Sequence, residues 1–61
     1  MSKEFDEQQY KQIKTDLLHF TNNEEMLKNT LMLYIMDMSY SRASISKAVS
    51  DVEKETGIQL S

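Results

Sequence analysis

Tyr10, Ile13, Leu17 and Phe20 recur at intervals of three and four residues, the spacing that lines one face of an α-helix. The pattern predicts a first helix over residues 3–20. Ser2 is its expected N-cap, Glu4, Asp6 and Glu7 stand where the helix dipole favours negative charge, and Glu7 and Lys11 form a correctly oriented i,i+4 pair. At Thr21-Asn22-Asn23-Glu24 three cap-formers stand in a row. Thr21 with Glu24 fits a capping box, so a second helix is expected over residues 23–37.

The second helix has a different pattern. Met26, Leu27, Leu31, Met32, Leu33, Tyr34, Ile35 and Met36, followed by Met38, leave almost no polar face beyond Lys28. A helix that is apolar all round must be covered on most sides. In so short a chain the expected cover is the other two helices on one flank and a second copy on the other, with Leu27, Leu31, Tyr34, Ile35 and Met38 at the dimer interface. A strand over residues 31–35 is the rival reading, because a short apolar run does not distinguish strand from helix by period. Leu and Met favour helix, and no partner strand is visible.

Ser39-Tyr40-Ser41 interrupts the apolar run. With Ser41 as N-cap, Tyr40 and Ile45 have the spacing of a hydrophobic staple. Ile45, Ala48, Val49, Val52 and Thr56 then share a face up to Gly57, suited to the left-handed residue after a helix, with Ile58 able to fold back over the last turn. A third helix is predicted over residues 42–56. The chain of 61 residues has no proline, and Gly57 is its one glycine. The expected fold is therefore all-α, one small three-helix domain with a helix-turn-helix-like C-terminal pair, and dimeric.

The last two predicted helices, joined by a tight serine-containing turn, have the order of a helix-turn-helix, the second presenting Arg42, Ser44, Ser46, Lys47 and Ser50 outward. Ser41-Arg42-Ala43-Ser44-Ile45-Ser46-Lys47-Ala48-Val49-Ser50 resembles the start of the recognition helix in the lactose-repressor and LysR-type families of bacterial transcription regulators. The continuation Asp51-Val52-Glu53-Lys54-Glu55-Thr56-Gly57-Ile58-Gln59-Leu60 is similar in register to the LysR-type helix end, and together they span a third of the chain. The resemblance implies contact with double-stranded DNA. Arg42 would be a bidentate donor to guanine, Ser44, Ser46 and Ser50 short contacts to bases or phosphates, and Lys47 and Lys54 phosphate contacts. A footprint this small calls for a two-fold dimer on two half-sites.

Charge and composition adjust this expectation. The formal net charge is −3, with four basic and seven acidic groups in residues 1–38 and three of each in residues 39–61. An acidic total opposes non-specific attraction to phosphate. It supports a second function class, an acidic helical adaptor that binds another protein, such as a repressor or replication factor, without touching DNA. That adaptor would use the Met-rich helix or the carboxylates of the first helix. Four of the five methionines fall in residues 26–38, where they suit either an irregular core or an adaptable binding surface.

No catalytic constellation converges, so no enzymatic activity, cofactor or metal is expected. His19, the single histidine, is best read as a favourable cation at a helix C-terminus, and Glu24, Glu25, Glu53 and Glu55 as capping or solvated groups. There is no cysteine to form a disulfide, the longest apolar run is six residues, and Met1-Ser2-Lys3-Glu4 lacks the basic start of a signal peptide. A cytoplasmic protein without a membrane partner is the expectation.

Overall fold

The computed structural model describes residues 4–60, which form three helices in the order α1 (Glu7–His19), α2 (Glu24–Met36) and α3 (Arg42–Thr56). Among the described residues there is no strand, so the run at residues 31–35 is helical. No described helix is long and apolar enough to cross a membrane.

Two helix starts differ from expectation. α1 begins at Glu7 and its N-cap is Asp6, whose carboxylate accepts the N–H groups of Gln8 (2.9 Å) and Gln9 (3.2 Å). Ser2 lies outside the described residues. Glu4 and Asp6 therefore precede the helix. Asp6 keeps an extended backbone (φ −123°, ψ 115°) because its own N–H and C=O are both bonded to Ser44 of α3. α2 is capped by Asn23, which accepts the Met26 N–H at 3.2 Å, in place of the expected Thr21. The link from α1 closes tightly, with the Phe20 N–H on the Leu17 carbonyl and the Asn23 N–H on the Phe20 carbonyl. Asn23 is the residue that emerges from this turn extended, as a cap requires (φ −138°).

α3 has both ends where the sequence places them. The Ser41 hydroxyl accepts the Ser44 N–H at 3.1 Å, and Gly57, at φ +76°, donates its N–H to the Glu53 carbonyl at 2.8 Å. Glu53, expected to be solvated, instead accepts the Leu60 N–H at 2.7 Å and folds the tail back. Leu60 and Ile58 pack against the core.

The core is made of Ile13 and Leu17 of α1, Leu27, Leu31 and Tyr34 of α2, and Ile45, Ala48 and Val52 of α3. α1 packs chiefly against α3, and α2 touches α3 least. Two phenols tie the layers together. The Tyr10 hydroxyl donates to Asp51, joining α1 to α3, and the Tyr34 hydroxyl donates to Asp16, joining α2 to α1. Tyr34 also meets the Tyr40 ring edge-on at 4.8 Å. Burial, reinforced by the Asp16 hydrogen bond, pushes the Tyr34 phenol up to about 12.

The expected dimer interface divides. Leu27, Leu31 and Tyr34 are consumed by the protomer's own core, whereas Ile35 and Met38 remain exposed. Because buried positions on a helix recur every three to four residues, one stripe faces inward and the rest of this apolar helix is left outside.

Candidate nucleic-acid interface

Ser41 and Gly57 fix where α3 begins and ends, and α1 fixes how it is held. The Gln9 amide spans the turn before α3, its nitrogen donating to the Ser39 carbonyl at 2.9 Å and its oxygen accepting the Ser41 N–H at 3.0 Å. Gln12 adds a 3.0 Å bond to the Tyr40 hydroxyl. The turn is thus clamped by α1, across about thirty residues of sequence, as well as by its chain neighbours. No sequence signal marks Gln9 or Gln12, since an exposed glutamine on an amphipathic helix is ordinary.

Arg42, Ser46, Lys47, Ser50 and Lys54 are all exposed on α3. At about 100° per residue they fall within an arc of about 140°, with the small exposed Ala43 among them. Ser44 does not belong to this face. It is fully buried, and its hydroxyl accepts the Asp6 N–H (2.8 Å), receives the Ser41 hydroxyl (2.6 Å) and donates to the Asp6 carbonyl (3.1 Å). All its hydrogen-bonding capacity is used inside the protein, so it is withdrawn as a contact to DNA.

The three cations have different surroundings. Arg42 stands at the first position of α3, beside an open groove of about 420 Å³ between α2 and α3 whose apolar walls include Leu31, Ile35, Ile45, Val49 and Leu60. Lys47 lies on the opposite flank, its ammonium 3.7 Å from the Asp51 carboxylate and 5.4 Å from the centre of the Tyr10 ring. Solvent reaches the lysine and the separation is long for an ion pair, so a phosphate can compete for it. Lys54 is exposed in the last turn, where a cation suits the helix dipole.

Asp51 and Glu55 of α3 are turned aside from this face. The Tyr10 hydrogen bond, with Lys47 nearby, holds the Asp51 carboxyl below its usual range. Glu55 pairs with Lys14 of α1 at 2.8 Å, and that bond raises the lysine. Glu53 falls inside the arc, about 20° round from Arg42 and before Ser46, with its carboxylate engaged by the Leu60 N–H of the tail. A net basic strip therefore survives on an acidic protein. It can approach a phosphate-lined groove with short side chains that do not obstruct contact.

His19 is exposed in the last turn of α1, against the edge of Phe20. Among the described residues no three His, Cys, Asp or Glu side chains are grouped to hold a metal ion. The chain matches no protein-family model, no curated protein and no solved structure.

Proposed function

We propose that this chain is a small helix-turn-helix-like DNA-binding regulator of transcription, of bacterial, phage or plasmid type, with the outer face of α3 as its contact surface. The observation that carries the reading is the clustering of Arg42, Lys47 and Lys54 with Ser46 and Ser50 on one exposed face of a helix whose caps are both made. Arg42, at the helix start, is the base-reading residue, because its planar fork matches guanine O6 and N7. Ser46 and Ser50 make short or water-bridged contacts, and Lys47 and Lys54 hold the phosphates. One α3 covers one half-site, so specific binding takes two copies on the duplex, about one helical turn apart.

Fluorescence anisotropy with labelled duplexes tests this. Arg42→Ala costs about 1–3 kcal/mol on a cognate site and relaxes one position, whereas Lys47→Ala weakens all sequences alike. Equal binding by wild type and Arg42→Ala on every duplex overturns the assignment.

A second reading is favoured by a different observation. Met32, Leu33, Ile35, Met36 and Met38 are between 50% and 81% exposed, an apolar surface of the kind that marks protein contact. On that reading the chain is an adaptor for another protein, and Arg42→Ala leaves partner binding intact while charge reversal at Glu4 or Glu7 weakens it.

A further inference from the structure

α2 carries an apolar surface outside the core, bordering the α3 face only at Ile35. Met32, Ile35 and Met36 lie on adjoining positions of its last turns, with Leu33 beside them, and their exposures are 57%, 50%, 71% and 69%. Met38, 81% exposed, continues the patch past the helix end. The polar residues Glu24, Glu25, Lys28, Asn29 and Thr30 of α2 do not extend past its midpoint. No charged side chain falls among the four apolar ones. The inward stripe of the same helix, Leu27, Leu31 and Tyr34, is already filled by α1 and α3, so Met32, Leu33 and Met36 face outward, while Ile35 borders the groove between α2 and α3.

We propose that this outer face of α2 is a self-association surface, covered by the same face of a second copy related by a two-fold axis. Its size and its uniform apolar chemistry fit that occupant. With on the order of 150 Å² for a fully exposed side chain of this class, the five residues present about 500 Å², roughly a tenth of the 4408 Å² surface. Doubling by a two-fold axis gives at most about 1,000 Å², the least a specific interface must clear and below the roughly 1,200–2,000 Å² of stable ones, so the pairing is weak and needs a polar rim. A two-fold axis sets identical patches against each other, so an apolar patch meets its own chemistry and closes as a dimer, with exposed Asp37 at its rim held by the N–H (3.0 Å) and hydroxyl (2.7 Å) of Ser39. Methionine suits such a contact because its unbranched chain adapts to its own image. A chain of 61 residues, which buries only about 60% of its unfolded surface alone, also gains stability from the pairing.

The pairing gives the DNA reading its second copy, but the surface lies on α2 and exists whether or not α3 touches DNA. The dimer contact differs from the sequence expectation in that Met32, Leu33 and Met36 join Ile35 and Met38, and Leu27, Leu31 and Tyr34 drop out.

Sedimentation equilibrium of the full chain without DNA, from about 5 to about 200 µM, tests the proposal. The expected result is a monomer–dimer equilibrium with a micromolar midpoint and no larger species. Leu33→Glu and Met36→Glu each put a charge into the contact without entering the core. Each is expected to weaken dimerisation by about a hundredfold or more while the helical circular dichroism is unchanged. Ala43→Glu, exposed on α3, serves as the control that keeps the dimer. A wild-type monomer at about 200 µM overturns the proposal and assigns the face to a different protein. A dimer indifferent to both glutamates, or open-ended growth in place of a dimer, overturns it as well. Because no DNA is present, failure here is separable from failure of the α3 assignment.

Discussion

Replacing Ser44 by alanine separates a structural serine from the serines on the outer face of α3. The buried hydroxyl accepts the Asp6 N–H at 2.8 Å and the Ser41 hydroxyl at 2.6 Å, and it donates to the Asp6 carbonyl at 3.1 Å. The carbonyl keeps a partner after the change, since it also takes the Tyr10 N–H at 2.9 Å. The Asp6 N–H does not, and the Ser41 hydroxyl, which still accepts the backbone N–H of residue 44, loses the acceptor of its own proton. An orphaned buried donor costs about 1–3 kcal/mol, reduced at Asp6 because water can reach an exposed residue, and alanine returns about half a kcal/mol of helix propensity. The net expectation is about 2 kcal/mol. For a chain of this length total stability is about 3–9 kcal/mol, so the loss is large. With an m-value of about 1 kcal/mol per molar urea, the unfolding midpoint followed by circular dichroism moves down by about 2 M. Ser46→Ala and Ser50→Ala, at exposed positions, stay within about 0.5 kcal/mol of wild type or gain slightly. All variants are compared at one protein concentration, since self-association adds to apparent stability. A Ser44→Ala midpoint equal to that of Ser46→Ala refutes the reasoning, because it means that the hydroxyl network does not hold α1 onto α3.

Three further outcomes are expected. Tyr34 has a folded pKa raised to about 12, so its contribution is full below about 10, the unfolded value, and is lost as pH rises from there towards 12; phenolate absorbance at 295 nm shows one tyrosine titrating late, and Tyr34→Phe removes that step. Asp51 has a lowered folded pKa, so its contribution is present above about pH 4 and disappears as pH falls through the folded value; acid unfolding of Asp51→Asn is correspondingly less steep than that of wild type. Gly57→Ala meets nothing within 4 Å and is penalised only through its φ of +76°, so thermal unfolding shows a loss of about 1–2 kcal/mol without a change in helix content.

The helices were legible because their determinants are local. Ser41, Gly57 and the Ile45, Ala48 and Val52 stripe give α3 its limits and its inward face from sequence alone. α1 shows its face but not its start. Asp6 outdoes an earlier cap because a remote residue, Ser44, holds its backbone extended, and nothing within a helical turn of Asp6 reveals that bond. The same contact hides the fate of Ser44. Helical spacing does separate it from Ser46 and Ser50, since Ser44 stands four residues before Ala48 beside the buried stripe and outside their arc, but only the crossing of the N-terminal arm shows what its hydroxyl bonds. On α2 the apolar residues are visible but their partition is not, because a helix without a polar face has no amphipathic phase. Only the placement of α1 and α3 decides that Leu27, Leu31 and Tyr34 turn inward and Met32, Leu33 and Met36 outward. Of the candidate DNA contacts, five of six share the exposed face, the exception being Ser44.

The salt dependence of binding to duplex DNA tests the α3 assignment most directly. Phosphate contacts release counterions, and the slope of log affinity against log salt is about −0.9 for each phosphate neutralised. Lys47 and Lys54 from each of two copies predict a slope of about −3 to −4 between roughly 50 and 200 mM salt, flattened by about 2 when Lys54→Ala removes one contact per copy. Absence of duplex binding at about 50 mM, where phosphate contacts are strongest, or a slope that Lys54→Ala leaves unchanged, contradicts the account.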